Sequence, residues 1–210
     1  MAGPIGGRPH SPGTMTLDRP VPEQKALLRN EIRQRLTGLS VEARTHDSGR
    51  IREWLAASRP WQEADRILGF VPMASEPDLM PLLRAASAAG RTVCVPRWNP
   101  QLETYEAASL PPDGGLVPGP FSVLEPAADL PALPLERLDL ILVPGLAFDR
   151  HGWRLGRGRG FYDRLLRQAV SARRWGIAFD TQVVESVPNE PHDVNVHILV
   201  TPQLGLTASE

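Results

Sequence analysis

The chain of 210 residues contains one cysteine, Cys94, which excludes an internal disulfide and any multi-cysteine metal site. Cys94 lies in the apolar run TVCVP, where a small buried side chain is expected rather than a reactive thiol. No apolar run approaches the roughly 20 residues that a membrane helix needs. The opening segment, MAGPIGGRPHSPGTMTLDRP, also lacks the apolar core of a signal peptide. A cytoplasmic protein with no membrane partner is the expectation. Charge of one sign is missing as well. A formal net charge of -1 provides no global field to recruit nucleic acid or an anionic membrane. Lysine is almost absent, for the 23 cationic side chains are 22 arginines and Lys25. Heavy use of arginine, alanine and proline reads as a genome-level bias without functional content. A lone lysine against that bias is either chance or a position that needs a compact ammonium instead of a guanidinium.

What is present describes an ordinary globular chain. Hydrophobic residues make up 41% and charged residues 22%, enough apolar content for one buried core. Residues 1–20 are rich in glycine and proline and are expected to be a disordered leader, or a misassigned start. Residues 21–205 are expected to form one domain. Pro22 suits a first helical turn, and Leu28, Ile32 and Leu36 recur every four residues until Gly38. Lys25, Arg29 and Arg33 then form a parallel basic row. Ser40 can cap a second helix running to Pro60. RILGFVPM predicts a strand over 66–71, followed by a helix over 78–89 and a strand over 92–95. LETYEA predicts a short strand over 102–106, and residues 111–134 read as a long proline-rich loop of the kind that covers a site.

LDLILVP gives the strongest strand signal, a continuous apolar run buried on both faces as in the middle of a parallel sheet. A helix over 161–172 and two last strands, WGIAFD and VHILVT, complete the pattern. The alternation predicts a single three-layer Rossmann-like α/β domain, with a mostly parallel central sheet flanked by helices.

Between LDLILVP and its helix lies RLGRGRGFYDRLL, 154–166. Ligands of open α/β sheets bind at the carboxyl ends of strands, where this loop falls. Gly156, Gly158 and Gly160 permit conformations and approaches that a side chain blocks. The helix N-terminus offers free N–H groups, and Arg154, Arg157 and Arg159 add charge-assisted donors. Asp163 can accept backbone N–H groups or help to bind Mg²⁺. The pattern alone fits a tight structural turn, a phosphate site, or an Arg-Gly tract touching RNA. Such tracts usually occupy long disordered segments, which weakens the RNA reading.

From 142 to 166, LVPGLAFDRHGWRLGRGRGFYDRLL resembles the signature of the 5-formyltetrahydrofolate cyclo-ligase family, also called 5,10-methenyltetrahydrofolate synthetases. KALLR resembles the family's N-terminal nucleotide-binding helix. GFVPMASEPDLMPLL, VCVPRW, FSVLEP and VPNEPHDVNVHILVTP follow in family order, so the resemblance covers about 22–202. It implies ATP-dependent cyclisation of 5-formyltetrahydrofolate to the methenyl form, releasing ADP and phosphate. ATP is the co-substrate and Mg²⁺ the cofactor. It gives Lys25, Arg29 and the segment Arg154, Leu155, Gly156, Arg157, Gly158, Arg159, Gly160, Phe161 and Tyr162 to ATP. Folate contacts fall to Val71, Glu76 and the stretch from Arg157 to Phe161, with catalysis assisted by Arg157, Arg159 and Tyr162. Asp163 and Asp193 correspond to the metal aspartates.

Taken singly, each of these has a plainer role: a solvated helix face, a helix charge, a cap or a turn residue. His151 and His192 are weaker acid–base candidates. A monomer acting on small molecules, without nucleic acid, is expected. Phe161, Ser122 and Leu102 depart from the family pattern on the folate side. A non-catalytic nucleotide- or folate-binding relative is the main alternative, and an RNA-binding module a more remote one.

Overall fold

The computed structural model describes residues 19–112, 114–120 and 123–208. Most of the expected leader, and Ser122, lie outside them. Strand β7 (Leu140–Pro144) is buried along its whole length and organises the molecule around its two faces. Because successive strand side chains alternate, Leu140 and Leu142 enter one hydrophobic cluster while Ile141 and Val143 enter another. The first cluster is covered by helices α2 (Val41–Ala57), α3 (Arg59–Glu63) and α4 (Met80–Ala88), through Ile51, Leu55, Trp61 and Leu83. On the second face, α5 (Phe161–Gln168) contributes Leu165 and Leu166. Each such fully buried leucine or isoleucine contributes about 1.5–3 kcal/mol of transfer free energy. The layers are therefore helix, sheet and helix.

Parallel pairing joins β7 to β1 (Arg66–Leu68) on one side and to β10 (Arg173–Ile177) on the other. Beyond them lie β2 (Thr92–Asn99) and β11 (Ile198–Thr201), also parallel. Antiparallel strands close the edges: β3 (Thr104–Ser109) and β6 (Ala132–Leu133) at one, β12 (Gly205–Ala208) at the other. The eight-stranded order is β12-β11-β10-β7-β1-β2-β3-β6. From β1 the chain crosses to β2, whereas from β7 it turns the opposite way to β10. The carboxyl ends of β1 and β7 thus flank a topological switch point, the place where open α/β sheets form a crevice.

Several local expectations need correction. Pro60 does not end the second helix; α2 stops at Ala57, and Pro60 occupies the first turn of α3, where its missing N–H costs nothing. Strand β1 ends at Leu68, and the chain to Val71 runs on irregularly into the crevice. Both β2 and β3 run further than expected, because they pair over Cys94–Asn99 and Thr104–Ser109. The proline-rich segment is no simple loop. It contains β6 and a hairpin of β4 (Leu116–Pro118) and β5 (Leu124–Pro126). Helix α5 stops at Gln168, short of Ala172.

Helix α1 (Val21–Thr37) begins with proline in its first turn, as expected, and buries Ile32 and Leu36 against Leu146, Leu155, Phe179 and Val187. That packing sets Lys25 and Arg29 over the glycine loop. No helix of the described residues is long and apolar enough to cross a membrane.

Candidate functional site

The loop RLGRGRG leaves β9 (Arg154–Leu155), which pairs with β8 (Ala147–Phe148), and runs into α5. Asp149 fixes its approach. The buried carboxylate accepts N–H bonds from His151 and Trp153 at 3.0 Å and from Val187 at 2.9 Å. One side chain therefore ties the loop to the segment carrying Glu190 and Asp193. Gly158 and Gly160 adopt φ of 105° and 64°, which L side chains rarely accept, so both positions favour glycine.

The alternation of glycine and arginine separates two faces. Arg157 and Arg159 line a first cleft of about 420 Å³ with Val71, Glu76, Phe161 and Tyr162. Gly158, against which the Arg29 guanidinium lies, lines a second cleft of about 280 Å³ with Lys25, Arg29, Leu155 and Asp193. Arg154, Gly156, Gly160 and Asp163 line both. The loop is thus a common wall.

The first cleft opens at the switch point and is largely aromatic and apolar on one side. Trp98, Tyr105 and Phe161 pack edge-on or tilted, with centroids 5.1–5.5 Å apart. Val123 and Leu124, from the proline-rich segment, form part of its rim. Phe161 makes this wall without a hydroxyl. Tyr162 lies under the Arg154 guanidinium, whose carbon is 5.6 Å from the ring centroid. Burial, with a further push from Glu76, raises the Tyr162 phenol well above its usual range. Glu76 Oε2 accepts the Met73 N–H at 2.9 Å. Its Oε1 accepts from Arg157 at 2.8 Å, and the same guanidinium reaches Ser75 Oγ at 3.3 Å. Leu102 is exposed.

The second cleft is crowded with opposed charges. Lys25 is 7% exposed, and its ammonium donates to Asp193 at 2.6 Å and Glu190 at 2.8 Å. Burial opposes the Lys25 charge, but the bonds to Asp193 and Glu190 outweigh it and hold the pKa above the usual lysine range. Burial likewise disfavours the Asp193 charge, yet the Lys25 bond, the Glu190 N–H and the nearby ammonium hold it below the ordinary carboxylate range. Arg29 donates to the Gly156 carbonyl at 3.0 Å. Arg154 donates to Asp163 Oδ1 at 3.0 Å, while its buried Nε has no hydrogen-bond partner. Arg33, the third member of the basic row, is turned outward to Asn30. His192 lies 3.8 Å from Asp193 and 3.9 Å from Glu190; His151 lines neither cleft.

Carboxylate oxygens suit Mg²⁺, a hard cation usually held by one or two carboxylates together with substrate phosphates. Asp163 and Asp193 are of that chemistry and line the same cleft, but the residues whose ligand atoms lie within 4.8 Å of one another are Glu190, His192 and Asp193. The residue types alone do not announce Glu190 or Asp149. The only hint was their place within the NEPHD and AFDRHG stretches.

A doubly wound sheet with a cleft at its switch point, and a second cleft across the glycine loop, defines an α/β protein with room for ligands on both sides of that loop. Comparison with known proteins narrows the class. Residues 21–202 match the 5-formyltetrahydrofolate cyclo-ligase family, and the chain belongs to that family of enzymes. It is 33% identical to the 5-formyltetrahydrofolate cyclo-ligase of Mycolicibacterium smegmatis, over 89% of this chain and 98% of that one. The Escherichia coli K12 protein of the same name is 34% identical, covering 81% of this chain and 96% of its own. The solved structure of Aquifex aeolicus 5,10-methenyltetrahydrofolate synthetase superposes with a TM-score of 0.78 at 28% identity, covering 89% of this chain and 93% of that one.

Proposed function

We propose that the protein is an ATP-dependent 5-formyltetrahydrofolate cyclo-ligase of the cytoplasm, acting on its two small-molecule substrates as a monomer. The observation that carries this reading is the shared wall. A phosphoryl acceptor and a phosphoryl donor must meet within bonding distance, and the Arg154–Gly160 loop separates two adjoining clefts of complementary character. The aromatic cleft suits a pterin, which can stack on Tyr105 and Phe161, with Glu76 accepting from its polar edge. The charged cleft suits a triphosphate, which Lys25, Arg29 and the loop N–H groups can bind.

In the proposed reaction the formyl oxygen attacks the γ-phosphorus and ADP leaves. The N5 lone pair moves into the carbon–nitrogen bond, giving an iminium phosphate. N10 then adds to that carbon, loses its proton, and phosphate departs with the formyl oxygen as the methenyl ring closes. No protein nucleophile is needed. Catalysis of phosphoryl transfer is chiefly positioning and neutralisation of the transferred oxygens. Arg157 and Arg159, on the folate side of the wall, are the groups to meet the moving phosphoryl. Tyr162, whose phenol is protonated at neutral pH, can donate a hydrogen bond there. When bound at Asp163 and Asp193, Mg²⁺ supplies charge neutralisation for the phosphate oxygens.

The RNA alternative draws no support from this loop, because Arg154 is buried against Asp163 and Arg157 is paired with Glu76. The test is to mix purified protein with 5-formyltetrahydrofolate and MgATP and to follow the ultraviolet absorbance of the methenyl product. An ATP-dependent rise is expected. A folded protein that gives none is a binding relative and not the enzyme proposed.

A further inference from the structure

Glu76 lies in a segment without regular structure. Residues 71–79 form neither strand nor helix, so no ladder fixes its carboxylate beside the first cleft. The segment closes one turn on itself, where the Glu76 N–H donates to the Met73 carbonyl at 2.9 Å. Helix α2 holds the rest. Arg44 donates to the Ala74 carbonyl at 3.1 Å, Ser48 Oγ accepts the Asp78 N–H at 3.0 Å, and Arg52 donates to the Asp78 carbonyl at 2.6 Å. Glu76 stands midway between these two anchor residues.

The three anchors come from one helical row. Residues four apart on a helix lie one above the other, so Arg44, Ser48 and Arg52 share a face. Ser48 also falls one turn before Ile51, on the buried stripe that runs on to Leu55, and it is 2% exposed. A buried hydroxyl needs its hydrogen-bonding roles filled. Ser48 Oγ donates back to the Arg44 carbonyl at 2.6 Å, a bond open to serine within a helix, and a remaining lone pair takes the Asp78 N–H. None of the three side chains lines either cleft. Their polar groups are committed to the loop and not to a ligand.

Resting on the reading of Glu76 as a folate contact, we infer that the Arg44, Ser48 and Arg52 row positions the folate side of the reaction from outside the cleft, with the buried Ser48 at its centre. The row acts through Glu76. It keeps the loop preformed, so folate meets the carboxylate in place and does not have to order the loop on binding. The Met73 N–H and Arg157 then fix the orientation of the carboxylate itself. In Ser48→Ala the Asp78 N–H faces a methyl group, and the loop must move toward water to satisfy it.

The test is a double-mutant cycle read in steady-state rates of methenyl formation, for wild type, Ser48→Ala, Glu76→Ala and the double variant. Ser48→Ala is expected to raise the KM for 5-formyltetrahydrofolate about three- to tenfold, the scale of one neutral hydrogen bond. The KM for MgATP and kcat should stay within about twofold, the pattern of lost binding rather than lost chemistry. A merely structural defect lowers the folded fraction, and with it the maximal rate, without moving either KM. In the Glu76→Ala background Ser48→Ala should change the folate KM by less than about twofold, because the group it positions is gone. An unmoved folate KM in Ser48→Ala, or the same rise with and without Glu76, overturns the inference. Should Ser48→Ala fail to fold, Arg44→Met at a half-buried position repeats the cycle by removing the Ala74 contact. A rise of about threefold that vanishes without Glu76 is expected there, and no rise overturns the inference. Glu76→Ala separates the levels. If it leaves the folate KM unchanged, the reading of Glu76 falls and the row falls with it; if it raises that KM while the row variants do not, only the row is refuted.

Discussion

Replacing Glu76 with alanine should weaken folate use and spare ATP use. The Glu76 side chain is 8% exposed, lines the aromatic cleft, and spends one oxygen on the Met73 N–H and the other on Arg157. Arg157 is 38% exposed, so the pair itself contributes little to stability once solvent screening is allowed for. The loss falls on the substrate contact. A hydrogen bond to a charged group is worth about 1.5–3 kcal/mol, which converts to roughly a 10- to 150-fold rise in the KM for 5-formyltetrahydrofolate. The KM for MgATP should stay within about twofold, because Glu76 does not line the second cleft. Glu76→Gln keeps an acceptor for Met73 and should fall between. Initial rates of methenyl formation, with each substrate varied at saturation of the other, separate the two constants, and a melting curve checks the fold. A folate KM within twofold of wild type, or equal rises in both constants, would refute the assignment.

Three further outcomes follow from the second cleft. Lys25→Ala should raise the KM for MgATP by roughly tenfold or more, the scale of one charge-assisted bond, and change folate affinity far less; an unchanged ATP constant in steady-state rates contradicts the role. Asp163→Asn should shift the Mg²⁺ dependence of the rate to higher concentration, and an unaltered Mg²⁺ titration would count against a metal contact. The Lys25–Asp193 pair should also shape stability against pH. Asp193 is depressed, so its contribution is complete above the unfolded value of about 3.9 and is lost as pH falls through the lower folded value. Lys25 is raised, so its contribution is complete below about 10.4 and is lost as pH rises through the higher folded value. Calorimetric Tm values across that range should fall at both ends for wild type, and Lys25→Ala should flatten both limbs; identical profiles would show that the pair does not matter.

The features legible in the sequence are those carried by local pattern. The apolar run ending at Pro144 identified the central strand, because burial on both faces leaves no polar alternation. Ser40 capped its helix as its side chain and position require, accepting the Ala43 N–H at 3.1 Å. Cys94 is fully buried, and burial pushes its thiol up to about 11, in keeping with a core residue. Lys25 stood out by composition alone, and the structure gives it two carboxylate partners more than 160 residues away in sequence. Alternation in RLGRGRG also had a meaning that could be written down but not oriented. Only the fold shows that Arg157 and Arg159 turn to one cleft and Gly158 to the other, while Arg154, Gly156 and Gly160 line both.

What local pattern could not show depends on distance or on short elements. Arg157 meets Glu76 across 81 positions, and no spacing rule links them. The β4–β5 hairpin has strands of three residues that end in Pro118 and Pro126, so propensity reads it as loop. Its strand character comes from pairing with itself and from packing over the cleft mouth, where Leu124 reaches the lining. Asp149 looked like one acid among many until its three backbone donors were visible.

The central claim is that the loop wall is where the formyl oxygen receives the γ-phosphoryl group. The most direct measurement labels that oxygen with ¹⁸O and analyses the phosphate released during methenyl formation by mass spectrometry. The account predicts one ¹⁸O atom per phosphate. Unlabelled phosphate, with the isotope recovered in water, would contradict it.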